Sequence, residues 1–184
     1  FIGDSSLAVG AKIYDLILKS RMGSAQVKQM SASVSTPVTE IDTTKVIPLD
    51  CKFALEEAKV IIGDTIRAYS QKTEASVGVR PSKMNVKKPV FDLYLRTDSL
   101  FMKANETRIG MDLAGFKIST FQGRDSLWHP KGSIGFNRLF FSTPEFGLPI
   151  RMQKTEVAFE RNTVALRQAK VRIGHSDITA TGSV

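Results

Sequence analysis

The sequence contains few of the residues that catalytic and metal sites require. It has one cysteine, Cys51, and two histidines, His129 and His175, among 184 residues. One thiol cannot build an intrachain disulfide framework, and two histidines in unrelated contexts do not give the ligand spacing of a zinc site. Phosphate-binding loops, dinucleotide fingerprints and a G-x-S-x-G nucleophile elbow are absent. We therefore expect no catalytic residues, no metal and no cofactor.

Long hydrophobic runs are also missing. A helix that spans a bilayer needs roughly 18 or more apolar residues, and the longest candidate, LAVGAKIYDLIL (7–18), is shorter and carries Lys12 and Asp15. The sequence begins at Phe1 and shows no signal peptide. We expect an excerpt of a longer protein, with any anchor or export signal outside it.

Charge and composition indicate a folded domain with anionic partners. The net charge is +8 and 42% of the residues are hydrophobic, and the length of 184 residues fits one domain over residues 1–184. A basic protein favours partners such as phospholipid head groups or lipopolysaccharide. The basic residues are scattered, without an arginine-rich block or a basic helix, so nucleic acid is not expected.

Alternation of apolar and polar residues is the dominant pattern. In VIPLDCKFALE (46–56), the side chains of Ile47, Leu49, Cys51, Phe53 and Leu55 fall on one face of a strand. Similar rows recur along the chain, at about 7–13, 30–34, 75–79, 91–95, 109–113, 134–136, 157–159, 171–173 and 178–184. Residues 4–22 also fit a helical stripe, but Gly10 weakens that alternative. The pattern predicts an all-β protein with few or no helices.

One segment occurs twice. ALEEAKVIIGDT (54–65) and ALRQAKVRIGHS (165–176) are identical at seven of their first ten positions, and Arg108-Ile109-Gly110 is a weaker echo. We expect repeat units at about 46–66, 100–121 and 132–184, with chance similarity among β-rich segments as the alternative. Repeated β units favour an elongated, curved, mostly antiparallel sheet, either a β-groove or an open sandwich.

The second copy runs into His175, Ser176 and Asp177, the residue types of a hydrolytic triad. A triad needs serine, histidine and carboxylate in one line, and consecutive residues point in different directions. We interpret the segment as a turn that Gly174 permits, with Ser176 and Asp177 bonding nearby backbone amides. His175 is expected to be exposed, and its role is unexplained.

An aromatic-rich segment is the main candidate site. IGFNRLFFSTPEFGLPI (134–150) is either a strand buried on both sides or an apolar lining for an acyl chain. A sheet with a continuous apolar face needs a covering layer, and this sequence offers few helices to supply one. The candidate lipid-binding residues are Phe136, Leu139, Phe140, Phe141, Phe146 and Leu148.

The unit Ile173-Gly174-His175-Ser176-Asp177-Ile178, followed by an alternating strand that closes on Gly182, resembles the C-terminal region of the AsmA-like proteins, which are related to TamB. The resemblance covers roughly 132–184 well and 46–66 moderately. It implies a periplasmic protein of a Gram-negative bacterium, tethered to the inner membrane by a segment outside this sequence and supporting outer-membrane biogenesis. It also implies membrane contact through regions outside this chain, no catalytic residues, and a curved sheet along which phospholipids move.

Three hypotheses follow. The first is a non-enzymatic envelope segment whose apolar side chains line a concave face for phospholipid or lipopolysaccharide acyl chains, with basic residues at its rim. The second is a structural or protein-interaction sandwich that carries no lipid and pairs with envelope proteins through its sheet edges. The third, an enzyme, would require titratable groups that converge in a pocket.

Overall fold

The computed structural model describes residues 6–38, 45–83, 85–123 and 125–184. These residues form twelve β-strands and one short 3₁₀ turn, at Pro144–Phe146. In chain order the strands are β1 (Ser6–Ser20), β2 (Gly23–Pro37), β3 (Leu49–Ile62), β4 (Ile66–Pro81), β5 (Pro89–Ala104), β6 (Thr107–Gln122), β7 (Trp128–Phe136), β8 (Arg138–Ser142), β9 (Ile150–Met152), β10 (Thr155–Glu160), β11 (Thr163–Ile173) and β12 (Ser176–Ser183). The all-β prediction is confirmed, and the segment that also fitted a helix is strand β1.

The strands form one antiparallel sheet in which neighbours in sequence are neighbours in space. β1 to β6 follow one another in order. β7 and β8 both pair with β6, one along each half of it, so they act as a single strand interrupted at Asn137. β9 and β10 in turn pair with the two halves of β11, and β12 closes the sheet beside β11. None of the described segments forms a helix long and apolar enough to span a bilayer.

The sheet is a single open layer. The accessible surface is 13076 Å², whereas a compact protein of this mass exposes about 8,800 Å². Among the described residues only Val90, Thr97, Thr155 and Ala169 are buried. The elongated open sheet is therefore confirmed, and the filled interior that a closed sandwich would have is not formed by the described residues.

The two faces of the sheet differ in chemistry, because residues paired across antiparallel strands point to the same side. One row crosses nine strands: Val9, Val34, Cys51, Val77, Leu93, Ile118, Gly132, Phe159 and Val164. We call this side the apolar face. The adjacent row on the other side, the polar face, contains Gly10, Ser33, Lys52, Ser76, Tyr94, Lys117, Ser133, Ala158 and Ala165.

A line of backbone irregularities crosses the strands and resets this alternation. Asp15, Glu57 and Leu113 have positive φ values of 51°, 48° and 47° there. In β4 the hydroxyls of Ser70 and Thr73 lie 2.7 Å apart, although residues three apart in a regular strand point to opposite faces. We call this feature the phase-reset line.

The same change of alternation occurs on the neighbouring strand β5, because Ser70 pairs with Leu100 and Thr73 pairs with Thr97. Beyond the line, one row of the apolar face contains Leu16, Val27, Ala58, Ser70, Leu100, Met111, Leu139, Met152, Val171 and Ile178. The apolar face therefore continues from one end of the strands to the other.

The two copies of the sequence repeat adopt the same local structure. Each ends its strand at Ile-Gly, and Gly63 and Gly174 both begin turns with left-handed φ values of 55° and 58°. Each copy also crosses the phase-reset line, at Glu57 in β3 and at the register shift between Leu166 and Ala169 in β11. Gly110 in the weaker echo lies inside β6 instead of in a turn.

Candidate functional site

The apolar face is too large to be an ordinary surface patch. A row of nine strands spans about 38 Å and strands of this length run about 50 Å, so the face covers on the order of 2,000 Å². Isolated soluble proteins rarely expose a contiguous apolar patch larger than about 600 Å². Val34, Val77 and Val164 on this face are 45%, 44% and 50% exposed. The described residues leave this face open.

Strand register places two of the predicted lipid-binding residues on this face. Leu139 pairs with Met111 and Phe141 pairs with Ile109, both in the apolar rows beyond the phase-reset line. Phe140 pairs with Gly110 and therefore points to the polar face. The segment is thus not a strand buried on both sides, because Leu139, Phe140 and Phe141 are all partly exposed.

The other three candidates lie around this pair. Phe136, at the end of β7, shares the face of Ile134 by alternation. Phe146 follows in the 3₁₀ turn, where its ring packs edge-on against Phe141 at 6.1 Å between centroids. Leu148 lies beside the turn glycine Gly174. Phe146 and Leu148 are both exposed. Five of the six residues thus border one apolar area, and Phe140 is separated from them by the sheet.

Two hollows of the sheet lie over the polar face. One, of about 760 Å³, is lined by Ser35, Asp50, Gly78, Asp92 and Ser119 together with neighbouring residues. A second, of about 730 Å³, is lined by polar-face residues that include Lys12, Ser33, Lys52, Ser76 and Tyr94. Small and polar side chains thus line these two hollows, whereas a smaller one, of about 320 Å³, is lined by residues that include Leu18, Ala25, Val60 and Ile62 of the apolar face. The expectation that apolar side chains line a concave face stays a prediction.

Asp92, in the larger hollow, forms hydrogen bonds with two side chains. Its carboxylate accepts a hydrogen bond from Arg80 Nε at 2.6 Å and a short one from the Ser119 hydroxyl. Burial alone would raise the pKa of Asp92, but these hydrogen bonds and the charge of Arg80 outweigh it, so the pKa lies below its ordinary value. This carboxylate is ionised at neutral pH and is held by Arg80.

The segment with triad-type residues is a two-residue hairpin turn. Gly174 and His175 connect β11 to β12, and the His175 side chain is exposed, as expected. The expectation that the Asp177 side chain bonds nearby backbone amides is wrong. Its carboxylate receives two hydrogen bonds from the Arg172 guanidinium, at 2.6 and 2.7 Å, which hold the pKa of Asp177 below its usual range. Asp177 thus pairs with arginine across the hairpin.

One cluster was missed by sequence reasoning. Arg67, Lys103 and Arg108 are direct cross-strand partners on β4, β5 and β6, on the polar face. Among the described residues, none of the three forms an ion pair. The next row of the same face contains Tyr69 and Phe101. No local sequence signal could have revealed this cluster, because only the pairing of three strands brings the cations together.

Metal ligands do not gather within the described ranges: no group of three or more His, Cys, Asp and Glu side chains is placed to hold an ion. Comparisons with protein-family models, with curated proteins and with solved structures found no match for this chain.

Proposed function

We propose that this chain is a non-enzymatic, lipid-handling segment of an AsmA-like envelope protein, which binds the acyl chains of phospholipids along its apolar face. The observation that supports the proposal is the continuity of that face. The phase reset keeps apolar side chains on one side of every strand that crosses the line, and no second layer of described residues covers them. Acyl chains are apolar, flexible and long enough to follow such rows.

The mode of binding follows from the shape of the sheet. No second layer of described residues covers the apolar face, so acyl chains would meet it as an open surface. Acyl chains would lie across it, between rows such as the one that contains Val34, Cys51, Val77 and Leu93, and would remove apolar area from water at about 25 cal/mol per Å². The polar face would remain in contact with water.

Lipid extraction from the purified protein, followed by mass spectrometry, tests this function. Wild-type protein is expected to carry phospholipid. Leu93→Lys places a charge on the apolar face and is expected to reduce the recovered lipid several-fold, whereas Ser76→Lys places the same charge on the polar face and is expected to leave it unchanged. Both positions are partly or fully exposed strand sites, and circular dichroism checks that both variants fold.

Two results would reject lipid binding. One is wild-type protein that is free of lipid after purification without detergent. The other is equal recovery from both lysine variants. A lipid-free dimer in light scattering, dissociated by Leu93→Lys alone, would show instead that a second copy covers the apolar face.

A second candidate, a protein-interaction module, is favoured by one observation. Among the described strands, β1 pairs with β2 on one side only, so the other edge of Ser6–Ser20 is available to a further strand. Leu7 and Val9 are 60% and 69% exposed on this strand. A partner strand from an envelope protein, captured by site-specific cross-linking at Val9 with no lipid present, would support this candidate over the first.

A further inference from the structure

One end of the sheet combines exposed apolar tips with an unpaired cation cluster. The turns at 21–22, 63–65, 105–106, 143–149 and 174–175 all lie at this end, and we call them the turn rim. Hydrogen bonds link neighbouring turns: Gly63 N–H donates to Met22 O at 2.8 Å, and Asn105 N–H donates to Thr65 O at 2.9 Å. The rim is thus a connected edge of the structure.

Large apolar side chains project from this rim. Met22 is 76% exposed and Phe146 is 63% exposed, and both stand in rim turns, Phe146 at the border of the apolar face. An exposed methionine and an exposed phenylalanine at two tips of one ordered edge give no benefit in water. They are suited to the boundary between head groups and acyl chains of a bilayer.

The cations lie directly below the rim. Arg67, Lys103 and Arg108 are each within two residues of a rim turn, on three adjacent strands about 4.8 Å apart. Like charges directly opposite one another destabilise a sheet, and no described acidic side chain forms an ion pair with any of the three. An anionic partner relieves this repulsion. Tyr69 and Phe101, both exposed, flank the cations in the next row.

We propose that the turn rim docks onto an anionic phospholipid bilayer, with Met22 and Phe146 entering the head-group region and Arg67, Lys103 and Arg108 binding lipid phosphates. The apolar tips favour a bilayer over nucleic acid, which offers them no apolar interior. This inference goes beyond the proposed function, because docking needs no acyl chain on the apolar face. It also revises the expectation that membrane contact lies only outside this chain.

Vesicle co-sedimentation tests the docking. Wild-type protein is expected to bind vesicles of equimolar phosphatidylcholine and phosphatidylglycerol, to bind pure phosphatidylcholine weakly, and to be released by salt. Replacing Arg67, Lys103 and Arg108 together by Gln is expected to weaken binding on the order of 100-fold, at about a factor of five for each cation near an anionic surface.

A charge-matched triple variant at the opposite end is the control. Lys83→Gln, Lys87→Gln and Arg161→Gln remove three exposed cations far from the rim, and vesicle binding is expected to persist. Equal weakening by both triple variants would overturn the proposal, because net charge alone would then drive binding. Failure of the wild type to bind anionic vesicles would overturn it as well. The proposal would also be overturned if an oligonucleotide displaced the wild-type protein from vesicles and did not bind the variant in which Arg67, Lys103 and Arg108 are replaced by Gln.

A separate experiment measures whether the turn rim enters the bilayer. With Cys51→Ser as background, an environment-sensitive dye on Met22→Cys is expected to shift to the blue when anionic vesicles are added. The same dye on Val86→Cys, an exposed site at the other end of the sheet, is expected not to shift. A shift at position 86 but not at 22 would place the wrong end on the membrane and overturn the proposal.

Discussion

The hydroxyl of Ser70 lies 2.7 Å from the hydroxyl of Thr73 in the same β-strand. Thr97 on the neighbouring strand joins them, with its hydroxyl 3.2 Å from that of Thr73. Two side chains three residues apart can meet this way only if the strand changes its alternation between them. The three hydroxyls therefore mark the phase-reset line and provide polar partners for one another at one of the few buried positions, Thr97.

Removing the buried hydroxyl is expected to weaken the fold. Thr97→Val keeps the shape of the side chain and leaves Ser70 and Thr73 with one partner fewer, so the free energy of unfolding should fall by about 1 kcal/mol. Thr120→Val, at a partly buried position on the apolar face, is the control and should change the free energy of unfolding by less. Urea unfolding measures both. An equal effect of the two variants would show that the three hydroxyls do not stabilise the line.

Glycine is required where the repeated segment turns. Gly63 has φ of 55° and open space around its missing Cβ, so Gly63→Ala should cost about 1 kcal/mol through the left-handed backbone alone. Gly182→Ala is the matched control, since Gly182 also has open space but no positive φ. Thermal unfolding should separate the two variants. If Gly182→Ala lost as much stability as Gly63→Ala, the left-handed backbone of Gly63 would not be the cause.

Acid is expected to protonate Asp92 and so to remove its contribution to the stability of the fold. Its pKa lies below the ordinary value in the folded state, so the ionised carboxylate stabilises the fold at pH values above the unfolded pKa of about 3.9, and this stability is lost as the pH falls through the folded pKa. Asp92→Asn should therefore be less stable than the wild type at neutral pH, by at most about 1 kcal/mol because the group is partly exposed. In urea titrations the difference should shrink as the pH falls from about 3.9 through the folded pKa and vanish once the carboxylate is protonated in both states. A difference that does not change with pH would mean that charge is not the cause.

The open edge of β1 is expected to make the protein associate at high concentration. Ala8 and Val9 are neighbours on this strand, with Ala8 on the polar face and Val9 on the apolar face. If backbone pairing at the edge drives association, Ala8→Lys and Val9→Lys should both reduce it, because edge lysines oppose strand pairing. Sedimentation velocity measures the reduction. A loss with Val9→Lys alone would identify the apolar face, and not the edge, as the surface that associates.

The fold was predictable because its local signals agree with each other. Alternation between residues 46 and 56 gave strand β3, and the glycine of each Ile-Gly pair at 62–63 and 173–174 gave a turn. The same local logic failed at Asp177, where an ion pair with Arg172 replaced the expected backbone contact. It also failed at Phe140, because a strand residue between two apolar neighbours, Leu139 and Phe141, carries no sign of which face of the sheet it will occupy.

The alternation of apolar residues by itself determined that this protein is a β-sheet with one apolar side, since a period of two residues has only one structural meaning. Tertiary structure decided the rest. The phase reset depends on left-handed residues such as Glu57 and Leu113, which no glycine marks, so the continuity of the apolar face was visible only from the pairing of strands. Arg67, Lys103 and Arg108 came together for the same reason: cross-strand neighbours are set by register, and register is a property of the whole sheet.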